Sequence, residues 1–83
     1  MSYIEENKDA TYYFIGDKLH RENGPAIEFA NGDKVWYKNG KRHREDGPAI
    51  EYNAYHKRWY LNDKCYGLNN DFTNESWERF VKL

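Results

Sequence analysis

The sequence predicts a mainly β fold, an antiparallel meander of about three 23-residue β-hairpin repeats closed by a short C-terminal capping helix. Three observations predict it. The stretch Tyr13 to Phe29 aligns without a gap on Trp36 to Tyr52, 23 residues later, so that His20 falls on His43 and Gly24-Pro25-Ala26-Ile27-Glu28 on Gly47-Pro48-Ala49-Ile50-Glu51. Asn31-Gly32 and Asn39-Gly40 each lie between runs of strand formers. That pair is the strongest short-range hairpin signal, because a type I′ turn needs positive φ at both central residues. Finally, the apolar period changes after residue 70, where Trp77, Phe80 and Val81 fall at helical spacing.

In chain order, the expected strands are about 3–6, 11–15, 18–20, 26–30, 34–38, 41–43, 49–53, 57–61 and 64–66. Weaker turns fall at Lys8-Asp9, Gly16-Asp17, Ala54-Tyr55 and Asn62-Asp63. In the loops Arg21 to Pro25 and Arg44 to Pro48, proline cannot donate to a ladder and is placed at the entry to the next strand. Two-residue turns would pair Phe29 with Lys34, Ile27 with Trp36, Tyr37 with Arg42 and Trp36 with His43. One face then carries a stripe: Ile4, Tyr13, His20, Ile27, Trp36, His43, Ile50, Trp59 and Tyr66. The stripe is expected to be the core face. The opposite face, with Val35, Tyr37, Arg42, Tyr12, Phe14, Leu19, Tyr60 and Cys65, is expected to be partly solvated. Thr73 is the expected N-cap of a helix at about 74–82, with Phe72 and Trp77 at hydrophobic-staple spacing. So short a helix must dock to persist, and it would cap the last hairpin.

At 83 residues the chain reads as a single domain, with repeats at about 1–22, 23–45 and 46–68. The single cysteine, Cys65, forms no intrachain bridge and fits a reducing compartment. One cysteine and three scattered histidines make no zinc site, and no cofactor is expected. Aromatic residues, 18% of the chain, are the expected compensation for a small core. A net charge of −1 argues against a bulk polyanion binder. No apolar run has the length of a membrane span, and the N-terminus lacks the features of a signal peptide, so a cytoplasmic protein is expected.

The unit at 36–52, Trp-Tyr-x-Asn-Gly-Lys-x-His-Arg-x-Asp-Gly-Pro-Ala-Ile-Glu-Tyr, resembles short tandem repeats in small proteins of phages and large DNA viruses. Those are similar in look to the MORN family of β-hairpin repeats. The resemblance covers residues 3–67; the third unit departs from it, with Tyr66-Gly67 in place of His-Arg. It implies a repeated-hairpin sheet, a viral origin in a host cytoplasm, and a scaffolding or binding role without a shared catalytic set.

Each polar motif has two readings. His20 and His43, each followed by Arg and Glu, could form an acid/base pair. Recurrence at identical repeat positions favours a packing role, since a catalytic site is needed once. Lys38, Lys41, Arg42 and Arg44 form a basic hairpin that could meet nucleic acid, with Tyr37 or Tyr60 as a stacking platform, or could be a solvated tip. A single-layer sheet also leaves aromatics and edges exposed. The leading expectation is therefore a non-catalytic protein-binding module, using Tyr37, Arg42, Tyr52 and Tyr60 or a sheet edge, with another protein, a host protein if the origin is viral, as partner. Homo-oligomers through the edges and nucleic-acid binding at 38–44 are the alternatives.

Overall fold

Two kinds of turn decide how this sheet is assembled. The computed structural model describes residues 1–53 and 55–83, so part of the expected Ala54-Tyr55 turn lies outside the described residues. The strands are β1 (Ser2–Glu6), β2 (Ala10–Ile15), β3 (Lys18–Leu19), β4 (Ile27–Phe29), β5 (Lys34–Val35), β6 (Tyr37–Lys38), β7 (Lys41–Arg42), β8 (Ile50–Tyr52), β9 (His56–Leu61) and β10 (Lys64–Leu68), followed by helix α1 (Asn74–Val81). The main sheet is antiparallel, in the order β1-β2-β4-β5-β8-β9-β10, with β3 also on β2; β6 and β7 form a separate two-stranded hairpin. The fold is thus a mainly β antiparallel meander with a short C-terminal helix, as expected.

Asn39-Gly40 makes the expected two-residue turn. Both residues have positive φ, 53° and 80°, and Tyr37 pairs with Arg42. Asn62-Asp63 does the same, at 49° and 70°. Asn31-Gly32 does not. Ala30, Asn31 and Gly32 form a three-residue loop: Gly32 N–H donates to the Phe29 carbonyl at 2.9 Å, Phe29 N–H donates to the Asp33 carbonyl at 2.9 Å, and only Gly32 has positive φ, 97°. The added residue moves the register by one, so Ile27 pairs with Val35 rather than Trp36. β8 and β9 repeat this, with three residues between the paired Tyr52 and His56.

A one-residue slip sends a strand's side chains to the other face, and this corrects the expected core. Ile27 and Ile50 leave the stripe and join Ala10, Val35, Ala49 and Tyr60 in the buried cluster, with Tyr12, Leu19, Phe29, Trp36 and Tyr37 packed against it. The core is therefore drawn mainly from the face expected to be partly solvated. Burying each isoleucine contributes about 1.5–3 kcal/mol.

What remains of the stripe is Ile4 paired with Tyr13, His20 bonded to Tyr13, and His43 bonded to Trp36. In place of isoleucine, small residues stand beside the rings: Tyr13 N–H donates to the Ala26 carbonyl, Trp36 N–H to the Ala49 carbonyl, and Trp59 pairs with Gly67. A bulge at 65–67 takes Tyr66 out of its expected pairing with Trp59.

Helix α1 starts where its signals place it. The Thr73 hydroxyl accepts from Ser76 N–H at 3.1 Å, and Phe72 lies 4.8 Å from Trp77, ring to ring. Trp77, fully buried, packs 5.6 Å from Trp59 and donates its indole N–H to the Arg44 carbonyl at 2.8 Å. No helix is long and apolar enough to cross a membrane among the described residues.

Candidate functional site

The His-Arg-Glu loops are the first candidates, and their geometry accounts for nearly every residue in them. β3 and β4 lie on the same side of β2, because Tyr13 accepts from His20 N–H and donates to Ala26. The segment between, 21–25, must leave the sheet and return. The loop after His43 does the same around Trp36.

His20 Nδ1 accepts the Asn39 amide at 2.9 Å, and His43 Nδ1 accepts the Asn62 amide at 3.1 Å. Each histidine thus holds the tip of the next hairpin. An accepting Nδ1 carries no proton, so the neutral ring has its hydrogen on Nε2. Nε2 faces Glu22 Oε2 at 3.2 Å in the first loop and Glu45 Oε2 at 3.0 Å in the second. The His–Glu pairs expected for an acid/base site do form, but both ring nitrogens are already engaged.

Arg21 lies 3.9 Å over the Tyr13 ring and Arg44 lies 3.8 Å over the Trp36 ring. Each donates to a carbonyl four residues on, Pro25 and Pro48, and to a glutamate seven residues on, Glu28 at 3.1 Å and Glu51 at 2.7 Å. Stacking plus a carboxylate is what a planar guanidinium does well. Gly24 and Gly47 make room for it: a Cβ on Gly47 would meet Arg44 Cζ at 2.7 Å. Tyr13 O–H also donates to Glu28 at 3.0 Å, and this bond raises the phenol above its usual pKa.

In the third unit Gly67 stands where the arginine would be. Its missing side chain leaves the space that Phe72 fills, 2.8 Å from where a Cβ would sit. Phe72 and Trp77 then pack on Trp59 in place of a cation. Sequence reasoning read the loss of His-Arg as the end of the array but missed this exchange. The signal was present, since Phe72, Trp77 and Gly67 lie close in sequence to the missing arginine.

The expected protein-binding aromatics lie elsewhere than expected. Tyr60 is only 7% exposed and Tyr37 packs against the same core, so neither forms a free platform; burial raises the Tyr37 phenol. Tyr52 is exposed. Arg42 lies over the Tyr60 ring at 4.5 Å and donates through Nε to Asp63 at 2.9 Å. Arg42's backbone and side-chain donors together hold the Asp63 carboxyl below its usual range. In the basic hairpin, Arg44 also pairs with Asp46 and Glu51, Lys38 reaches Glu22 at 3.7 Å, and Lys41 is exposed.

Two surface hollows lie beside these loops and the first strand. One, about 530 Å³, lies between the two loops and α1, with Trp36 and Arg44 on its wall and Glu22, Asp46, Glu78 and Lys82 around it. The other, about 490 Å³ and mostly apolar, lies at the β1 end, against Ile4, Tyr13, Ile15, His20 and Arg21. β1 is an end strand, exposed along its whole length. Met1 accepts from Gly16 N–H, which sets the alternation of the ladder. Tyr3 and Glu5 bond to β2, while Ser2, Ile4 and Glu6 turn their N–H and C=O groups outward.

No group of three or more histidine, cysteine, aspartate or glutamate side chains is arranged to hold a metal among the described residues. Comparison with protein-family models, curated proteins and solved structures gives no match.

Proposed function

We propose that this chain is a non-catalytic protein-binding module that engages its partner through the β1 edge. The observation that carries this reading is the combination at β1: outward backbone groups at Ser2, Ile4 and Glu6, an Ile4 that is 58% exposed, and an apolar hollow beside it. Such an edge offers main-chain hydrogen bonds for affinity and a side-chain pocket for selectivity. The engaged ring nitrogens of His20 and His43 and the carboxylate partners of Arg42 and Arg44 support a structural role for the motifs that suggested catalysis or nucleic-acid contact. We read the sheet as MORN-like hairpin units. The resemblance to phage and viral repeats suggests a host-directed role, such as inhibition of a defence protein.

The test is affinity capture from host lysate with tagged protein at about 0.15 M salt, repeated at high salt with nuclease. One stoichiometric protein retained by the wild type and lost with Ile4→Lys, at unchanged thermal stability, is the expected result. Nucleic acid recovered at low salt, and lost when Arg42 and Arg44 become alanine, would replace this reading with the basic-hairpin one.

A further inference from the structure

The β1 edge also carries a charge pattern, and the sheet itself supplies the template for reading it. Across the strands, Glu28 pairs with Lys34, Lys34 with Glu51, and Glu51 with Lys57. Acid and base thus alternate in one row on one face, which is the favourable arrangement for directly opposed residues. At its other end the row continues from Glu28 to Thr11, and from Thr11 to Glu6 on β1. Thr11 occupies the repeat position of Lys34 and Lys57, so Glu6 meets no base on its paired side. Neither Glu6 nor its neighbour Glu5 has an ion-pair partner among the described residues. Glu6 is one of the three residues whose backbone groups point outward.

We propose that the free edge of β1 takes an extended segment of another protein that sets a lysine or arginine opposite Glu6 and an apolar side chain opposite Ile4, over the hollow of about 490 Å³. The two recognised residues are two positions apart, on one face of the incoming strand. Arg21, which also lines this hollow, is neutralised by Glu28, and Glu22 is shared by His20 and Lys38, so Glu6 is the charge left to be matched. A second copy of this chain fits less well. Antiparallel pairing of β1 with itself would bring two more carboxylates, Glu5 and Glu6, to an edge that has no base. This inference rests on the protein-binding reading above and names the chemistry of the partner.

The test uses the full ¹⁵N-labelled chain and blocked hexapeptides of threonine carrying one lysine and one valine two positions apart, with glutamate replacing lysine in the control. Expected are amide shifts at Ser2, Ile4 and Glu6 on titration to millimolar peptide, at least several-fold weaker with the glutamate peptide, and the reverse order for Glu6→Lys. Ile4→Pro removes an outward N–H and the exposed Ile4 side chain but no bond to β2, so it should keep the fold and abolish the shifts at Ser2 and Glu6. No shifts at these three residues, or equal binding of the two peptides, would overturn the proposal. So would protected edge amides in peptide-free protein together with a dimer in sedimentation, which would make a second copy the occupant. If a captured partner is kept by both Ile4→Pro and Glu6→Lys, protein binding stands and the edge assignment falls. If the peptides bind as expected and no protein is captured, the edge chemistry stands and the wider reading loses its support.

Discussion

Ile4 and Ile27 occupy the same position in the repeat and end on opposite faces. Ile27, at 9% exposure, is in the core; Ile4, at 58%, is at the surface. Nothing in the two side chains accounts for this, and the turns that follow do. After β4, three residues intervene before Asp33, and Gly32 supplies the positive φ that such a loop needs. After β1, Asn7 N–H donates to the Ala10 carbonyl, so only Lys8 and Asp9 intervene between that pair. The Asn7 side-chain oxygen accepts the Asp9 and Ala10 amides, at 2.8 and 3.0 Å, and the turn closes without a positive φ at Lys8 or Asp9. One residue of loop length therefore turns Ile4 away from the core, and it sets Ser2, Ile4 and Glu6 as the outward-facing residues of the edge.

The sharpest way to break this comparison is to truncate the equivalent isoleucines. Ile27→Ala and Ile50→Ala are each expected to cost about 2–5 kcal/mol, and Ile4→Ala no more than about 0.5 kcal/mol, in urea denaturation. Equal losses at all three positions would show that Ile4 is buried in solution.

The second effect concerns the histidines that hold one hairpin tip to the next. Replacing His20 or His43 with alanine leaves the Asn39 or Asn62 amide without its acceptor, at an expected cost of about 1–3 kcal/mol. Amide exchange at Asn39 or Asn62 should accelerate locally in the matching variant. A stability unchanged by both substitutions would remove the structural role and reopen the chemical one.

Retyping the first turn is the third way. Asn7→Ala, Lys8→Asn and Asp9→Gly together give the turn after β1 the sequence Ala30-Asn31-Gly32 of the three-residue loop after β4, and remove the Asn7 side chain that holds the present turn. The expected result is the register of β4, with Ile4 turned inward and Tyr3 outward, seen as an exchange of cross-strand NOE partners: Ile4 with Tyr12 in place of Tyr13. Retention of the Ile4–Tyr13 contact would mean that side-chain packing, such as the Tyr3–Phe14 stack at 4.9 Å, sets the register.

The smallest effect is at the Arg42–Asp63 pair. Asp63 has its carboxyl pKa lowered in the fold, so its contribution is fully present above the ordinary aspartate range and is lost as pH falls through the lowered value. Both side chains are solvent-screened, so Asp63→Asn should cost less than about 1 kcal/mol at neutral pH and flatten that part of the acid limb in a pH series of melting curves. A slope unchanged by the substitution would place the acid sensitivity elsewhere.

Much of the fold was legible because its signals are local. Asn39-Gly40 needed only the two residues themselves, and Thr73, Phe72 and Trp77 placed the start of α1 correctly. The error at Asn31-Gly32 was also local. The same dipeptide serves a two-residue or a three-residue loop, and Ala30 carries no mark of which. Its consequence was global, since the slip put Ile27 and Ile50 on the face of Tyr37 and Tyr60 and brought those two tyrosines from the expected surface into the core. The loops were legible as a motif and not as a mechanism of packing. Arg21 and Arg44 act on rings eight residues earlier and on carboxylates seven residues later, and no pattern of propensity or alternation reports such contacts. The β1 edge was expected in general terms; its outward residues followed only once the register was known.

Amide hydrogen exchange along β1 is the most direct measurement, because the two registers give opposite answers. Slow exchange at Tyr3 and Glu5 with fast exchange at Ser2, Ile4 and Glu6 is the expected result. The inverse alternation would contradict it, placing β1 in the register of β4 with Ile4 in the core and the proposed edge chemistry on the wrong residues.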